Sequence, residues 1–477
     1  MDKRLELAYE LYNRGDYDKA LKLAEEPLEN KPDAPEWLII VVCCLGKLDK
    51  LGIAYQLCRR IVELVPKNPV AWLNMCDLEM RLWMVDESIR SARKGLQFAA
   101  KDKDKLMLLV NLSCVYVDIG KFDEALKYLG QAAKIDPTSQ KIISNTSFCQ
   151  LAQKNWAEGW KSYHKAIGQL GREPMNYVGE PEWDGTPGKR VVLYGEQGVG
   201  DQICFSSIVP DAAKDISIIL DVHPKLKHLL QRSFPDVVVY GTHMMPHKKW
   251  DKADREFDAS FPMGQLGEFY RLTDDSFPRK PFLIPDPDRV LMWKQLFSGK
   301  LKPVIGIGWT GGIPRTGRRF RISTLEDWLP LFKAIDAHWV SLEYKPAGKA
   351  IEAFVETHGV DLKEYSYATL TEDYDDTAAM VAALDCVVSV PTTVGHLAGA
   401  MGVPNIWLQH KYKCWKAASG LPFHPTTAIV DWEGSWRATV SKAIEPVRST
   451  LGMTRDSHLP ITRCDTASRQ IPVALSA

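Results

Sequence analysis

The sequence predicts an α-helical repeat solenoid over its first third, followed by a pair of α/β units built on parallel sheets. Three observations carry that prediction. Small residues recur at intervals of 34 to 37 positions up to about residue 172. From "GKRVVLYGEQG" onward, short apolar strands alternate with helical stretches. No stretch has the length and apolarity of a membrane span. The 477 residues leave room for about three domains at roughly 150 residues each.

Charge and cysteine usage narrow the function classes. The 60 basic residues balance the 60 acidic ones, so no global field draws the chain to nucleic acid or to a membrane surface. Basic loops such as "HKKWDK" are isolated. The ten cysteines lie scattered in apolar helical stretches with no C-x-x-C pair, which reads as buried, reduced thiols with no disulfide framework or zinc site. "MDKRLELAYE" reads as an amphipathic helix start without a signal-peptide apolar core, so a cytoplasmic location is expected.

The repeats come first in the chain. Ala20, Ala54, Ser88, Ala125 and Gly159 fall at intervals of 34, 34, 37 and 34, with Tyr17, Leu51, Val85, Phe122 and Trp156 three places earlier. Pro32, Pro66 and Pro137 mark repeat ends. A 34-residue helix-turn-helix unit with small residues at the helix crossings is the tetratricopeptide signature, and residues 1–172 resemble that family over four to five units. The resemblance implies a curved solenoid whose concave face holds a peptide or a partner protein. The other reading is an arm that braces the chain or docks a second copy of it as a homodimer.

The next unit, residues 173–300, offers the strands "RVVLYG", "ISIILDV", "DVVVYG" and "FDASFP". Residues 301–450 offer "PVIGIGW", "HWVSLEY", "CVVSV" and "NIWLQ", then the closing helix "SWRATVSKAIEPVRSTL". "DPDRVLMWKQLFSGKLK" reads as the linker, with a hinge near 285–302, and 451–477 as a tail. Two doubly wound units in tandem place their ligand site in a cleft at the carboxyl ends of the strands.

Five motifs are candidates for chemistry. In "YGEQGVGDQI", Gly195 and Gly200 have P-loop spacing, yet Asp201 and Gln202 stand where Lys and Ser/Thr grip phosphate and Mg²⁺. A carboxylate there repels phosphate and suits a general base facing an acceptor, or else the N-cap of "QICFSSIV". In "SVPTTVGHLAGAMGVP", Thr392, Thr393 and His396 lie at a helix start that suits a diphosphate; a plain N-cap and a packed histidine are the alternative. "WTGGIPRTGRRFRIST" brings Arg315, Arg318, Arg319 and Arg321 to a Gly-rich loop before a helix capped by Ser323, with Arg321 nearest the helix. Gly306, Gly308 and Gly311 match G-x-G-x-x-G only formally, because the first two lie within a strand. Asp373 and Asp375 form a D-x-D that a helix N-cap explains more simply than a metal.

"PEWDGTPGKRVVLYGEQGVGDQICFSSIVP", "GIGWTGG", "DDTAAMVAALDCVVSV" and "TTVGHLAGAMGVPNIWL" together resemble the GT-B glycosyltransferases. The likeness is to the heptosyltransferase-like, glycosyltransferase family 9-like module found fused to tetratricopeptide repeats. The resemblance extends to about residue 450 and implies a GT-B pair of Rossmann-like domains with metal-independent, inverting transfer. It places the catalytic base on Asp201 and the acceptor-side loop on Glu196, Gln197, Gly198, Gly200 and Gln202. The nucleotide-sugar donor falls to Arg321, Arg319, Thr310, Glu343, Asp376, Thr377, Thr392, Thr393 and His396. No cofactor or metal is expected, and the acceptor is a protein in preference to a saccharide. Val390-Pro391-Thr392 departs from the family's usual Val-Asp-Thr, which keeps a less conventional donor open. A non-catalytic adaptor, and glycosylation of a modified nucleic-acid base, stand as further alternatives.

Overall fold

The computed structural model describes residues 2–168, 172, 174–243, 245, 250, 252–278, 280–312, 321–412, 414–424 and 426–453. The chain divides into two compact units, Met1–Gln153 and Lys154–Ala477. No helix among the described residues is long and apolar enough to cross a membrane.

The first unit is a run of paired helices: α1 Lys3–Arg14, α2 Tyr17–Asn30, α3 Pro35–Lys47, α4 Leu51–Leu64, α5 Pro69–Arg81, α6 Val85–Phe98, α7 Asp102–Asp118, α8 Phe122–Ile135 and α9 Gln140–Ala152. Asp2 caps α1 by accepting from the Arg4 N–H at 2.9 Å, and proline opens α3 and α5, where no N–H is needed. Ala20, Ala54, Ser88 and Ala125 are fully buried, so the recurring small residue is the close-approach point of the even-numbered helices. At one such point the Ser88 hydroxyl donates to the Cys76 carbonyl of α5 at 2.8 Å. The turns between paired helices repeat as well. Gly15, Asp49, Trp83, Gly120 and Lys154 are all left-handed, with φ between 60° and 89°. Packing therefore imposes on three ordinary residues a conformation that costs them roughly 1–2 kcal/mol each. A groove of about 470 Å³ runs across the odd-numbered helices, lined by Tyr12, Lys47, Asn74, Arg81, Asn111 and Lys141 among others.

The second unit begins with α10, Trp156–Lys165. The sequence groups this helix with the repeats up to residue 172; in the structure it packs with the α/β region. Trp160 donates its indole N–H to the Arg271 carbonyl at 2.8 Å, and Trp156 donates to Asp274 at 2.8 Å. The first sheet holds β1 Arg190–Tyr194, β2 Ser217–Asp221, β3 Val238–Tyr240 and β4 Ala259–Pro262, all parallel, in the order β3-β2-β1-β4. The second holds β5 Val304–Gly308, β6 His338–Ser341, β7 Leu362–Glu364, β8 Cys386–Ser389, β9 Asn405–Leu408 and β10 Thr427–Val430, also parallel, in the order β10-β9-β8-β5-β6-β7. Both sheets reverse strand order beside their first strand, the doubly wound arrangement.

Thirteen α-helices among the described residues connect and cover these strands: α11 Val199–Ser206, α12 Val209–Ala212, α13 Lys227–Ser233, α14 Gly267–Tyr270, α15 Pro287–Ser298, α16 Leu325–Ala334, α17 Gly348–His358, α18 Ser366–Thr369, α19 Tyr374–Ala382, α20 Thr393–Met401, α21 Trp415–Ala418, α22 Trp436–Lys442 and α23 Ile444–Thr450. Ile305, Ile307, Trp328, Trp339, Val388 and Ile406 centre the core of the second sheet. The expected hinge at 285–302 is instead the helix α15. Asp286 caps it by accepting from the Asp288 and Arg289 N–H groups, both at 3.0 Å. Trp293 is buried, and Arg289 pairs with Asp376 at 2.6 Å.

Candidate functional site

The loops leaving β1, β5 and β8 converge, and the local sequence explains how each is built. After β1 the chain passes Gly195, Glu196 and Gln197 and enters α11 with Gly198 as its N-cap. Asp201 is the third residue of that helix, so the N-cap reading of Asp201 is replaced by a position inside the first turn. A Cβ on Gly195 would sit 2.3 Å from the Gln202 amide carbon, and its absence lets Gln202 fold back under the loop. Gln202 donates to the Gln197 carbonyl and accepts from the His223 N–H, both at 2.8 Å. It therefore ties the β1 loop to the end of β2.

Glu196 is buried at the exit of β4, where it accepts from the Gly264 N–H at 3.2 Å. Burial pushes its pKa up, and Arg172, 3.8 Å away, pulls it back down. Arg172 lies over the Tyr163 ring at 3.6 Å, and the Tyr163 hydroxyl donates to Gln197 at 2.7 Å. Thus Glu196, Gln197 and Gln202 all have partners inside the protein.

On the facing side, β8 leads through Val390, Pro391 and Thr392 into α20. Thr392 is its N-cap, but its hydroxyl makes no capping bond, and Thr393 is hydrogen-bonded to Tyr374. His396, one turn in, stands 2.8 Å from His424 between ring nitrogens Nδ1 and Nε2. Burial, then Lys416 and Arg321, depress its pKa to about 3, so the ring is neutral. A Cβ on Gly311 would come 2.6 Å from the Pro391 carbonyl, so the β5 loop rests directly on the β8 loop. The Gly311 N–H donates to the Arg321 carbonyl at 3.0 Å.

Not every expected donor residue joins this cluster. Glu343 is buried and accepts from the Trp309 and Thr310 N–H groups, both at 2.8 Å, and from the Thr310 hydroxyl. Asp376 pairs with Arg289, and Thr377 donates to the Ala368 carbonyl at 2.6 Å. Those four side chains therefore have structural partners. The cap of α16 is Thr324, in a capping box with Asp327, one residue after the expected Ser323; the Ser323 hydroxyl donates instead to the Trp309 carbonyl. Asp373 caps α19 by accepting from the Asp375 N–H. Arg315, Arg318 and Arg319 lie outside the described residues.

The two sides meet where α11 packs on α20. A Cβ on Gly200 would lie 3.0 Å from the His396 ring and 3.5 Å from the Thr393 Cα. Beside this contact the Lys416 ammonium of α21 pairs with the Asp201 carboxylate. Burial works against the ammonium, but Asp201, Cys204 and Tyr163 hold its pKa above the ordinary lysine value. A second clamp joins α13 to α19, where Arg232 donates to both oxygens of Asp375 at 2.7 and 2.8 Å. The structure thus brings together Gly200, Asp201, Arg321, Thr393 and His396. Sequence reasoning missed Lys416, His424, Tyr163 and Arg172. A lysine inside the apolar run "CWKAASGLPF" was the one legible signal among them, since an isolated buried ammonium demands a carboxylate.

These features define a class: a helical-repeat chain carrying a region of two parallel, doubly wound sheets. A family model described as tetratricopeptide repeat matches residues 108–139, within α7 and α8 and the turn that follows, and the helical repeats are of that type. The chain is 26% identical over 453 residues to Protein FlbA of Caulobacter vibrioides, covering 88% of this chain and 73% of that relative. Among solved structures, a thermophilic TPR protein of Thermus thermophilus aligns at 21% identity over 36% of this chain and 92% of its own, with a TM-score of 0.32. PilF of Pseudomonas aeruginosa aligns at 13% identity over 36% and 77%, with a TM-score of 0.33.

Proposed function

We propose that this protein transfers a glycosyl group from a nucleotide-diphosphate sugar to a protein acceptor held by the helical repeats. The observation that supports this most is the meeting of Asp201, after β1, with Arg321, Thr393 and His396, after β5 and β8, where ligands of doubly wound sheets bind. The α20 N-terminus and Arg321 receive the diphosphate. Lys416 engages Asp201 through Oδ1, and because the aspartate side chain is one-third exposed, Oδ2 is the oxygen assigned to the acceptor in this reading. In the transfer, the acceptor oxygen bonds to the anomeric carbon as the bond from that carbon to the diphosphate breaks. Asp201 takes the acceptor proton. Positive charge and oriented N–H groups stabilise the leaving diphosphate, and losing one such donor typically costs about 10²- to 10³-fold in rate. The groove with Asn74 and Asn111 supports a protein acceptor, because amides bond an extended backbone irrespective of its sequence.

A second reading, a tetratricopeptide adaptor on a silent scaffold, is favoured by the tight contact of Gly200 with His396 and by the closed Asp201–Lys416 pair. A thermal-shift panel of nucleoside diphosphates and their sugars separates the two. A selective shift that is absent in Arg321→Ala supports the transferase. No shift with any nucleotide leaves the adaptor.

A further inference from the structure

Behind the Asp201–Lys416 pair, three metal-ligating side chains come together from distant parts of the sequence. Cys204 lies on α11, His396 on α20 and His424 beyond α21, and one ligand atom from each lies within 4.8 Å of the others. One thiol and two imidazoles are a donor set for zinc and related transition ions. The pocket is shaped around the rings. A Cβ on Gly399 would come 2.6 Å from the His424 Cβ, and Gly200 leaves the corresponding space beside His396. Cys204 and His424 are buried.

The chemistry of loading is simple. Burial drives the pKa of both imidazoles down, helped by Lys416 at each ring. One of the two facing nitrogens, His396 Nδ1 or His424 Nε2, carries the proton of their 2.8 Å hydrogen bond; when an ion binds, that proton moves to the other nitrogen of the same ring, so both imidazoles ligate as neutral rings. Burial also raises the Cys204 thiol, which therefore carries a proton when no ion is present. Lys416 and Arg321 are the nearby cations, and Asp201 offsets the first of them.

We propose that Cys204, His396 and His424 bind one zinc-class divalent ion, whose fourth position is left to water or a small ligand. In a tetrahedral site the donors stand roughly 3.3–3.6 Å apart. The two imidazole nitrogens, now 2.8 Å apart, separate by about half an ångström, and the sulfur closes in. As the sulfur–metal bond forms, the Cys204 proton leaves to solvent, one proton per ion, with no change of oxidation state. Because α11 follows the first sheet and His396 and His424 follow strands of the second, the ion clasps the two sheet layers together. His396 also stands at the proposed donor site, and metal binding is measured here without any transfer assay.

The test is a Co²⁺ titration of the full-length, reduced protein, followed by its thiolate-to-cobalt charge-transfer absorption and its visible ligand-field bands. The expected result is saturation at one ion per chain, bleaching by Zn²⁺, and a Zn²⁺-dependent rise in melting temperature. Cys204→Ser and His424→Phe should each abolish these signals. Cys204→Ala provides a second, apolar replacement if serine at this buried position prevents folding. The proposal is overturned if wild type shows no charge-transfer band, or if a folded Cys204 variant retains it, which would assign the binding to other thiols.

Discussion

Lys416 and Asp201 form an ion pair that joins α21, beside the second sheet, to α11, beside the first. The lysine side chain is 7% exposed and the aspartate 33%, so the two partners are unequal. A stranded Asp201 still reaches water, whereas a stranded Lys416 does not. Asp201→Asn should therefore destabilise the protein more than Lys416→Met, by about 2–4 kcal/mol, with partial recovery in the double variant. Urea unfolding of the four proteins measures this. Equal losses in the two single variants would show that the pair is not buried as described.

The proposed glycosyl transfer predicts a second effect of the same substitution. Asp201→Asn, assayed where it is folded, should lose transfer while keeping nucleotide binding. Arg321→Ala should lower transfer about 10²- to 10³-fold and remove the nucleotide thermal shift. A ligand at about 100 times its Kd adds roughly 2.7 kcal/mol to the state it binds, which is visible in a melt. Full transfer by a folded Asp201→Asn would end the general-base assignment.

Glu79 in α5 predicts a pH dependence within the repeats. It is buried, one of its oxygens has no hydrogen-bond partner, and burial pushes its pKa up to about 7, with a Ser91 hydrogen bond opposing. Between the ordinary value of 4.5 and about 7, the folded state holds the proton more often than the unfolded state. Stability therefore falls as pH rises through that window. Glu79→Gln should match wild type near pH 5 and exceed it by about 1–3 kcal/mol at pH 8. Melts at the two pH values decide, and an unchanged difference would remove Glu79 as the cause.

Gly267 tests the placement of α10. A Cβ there would come 2.4 Å from the ring of the buried Trp160, and an indole packed on all sides has little room to yield. Gly267→Ala should cost about 1–3 kcal/mol through overpacking and shift the tryptophan fluorescence. A neutral effect would show that α10 is loosely held.

Much of the fold is legible in the sequence because periodicity is a local property. The 34-residue spacing of Ala20, Ala54 and Ser88 marks the helix crossings, and the apolar runs at Val191, Ile219, Ile305 and Val388 mark strands buried on both faces. The edge strands β7 and β10 carry no such mark. Leu362–Glu364 has one buried residue of three, and Thr427–Val430 one of four, too few to leave a pattern. The helix over 287–298 reads as a linker because its buried residues Val290, Trp293 and Phe297 alternate with the exposed apolar Leu291, Met292 and Leu296, which blurs the helical period.

The site divides along the same line. The sequence alone determined which residue types stand at strand ends: a carboxylate at Asp201, hydroxyls at Thr392 and Thr393, a guanidinium at Arg321. Each follows from a short motif and its turn chemistry. Only the tertiary structure decided their partners, placing Lys416 on Asp201, His424 on His396, Arg289 on Asp376, and α10 with the sheets rather than the repeats. Local backbone preference reaches a few residues along the chain. The choice between distant partners is made by packing and desolvation, because a buried charge or imidazole is stable only where the whole fold brings it a complement.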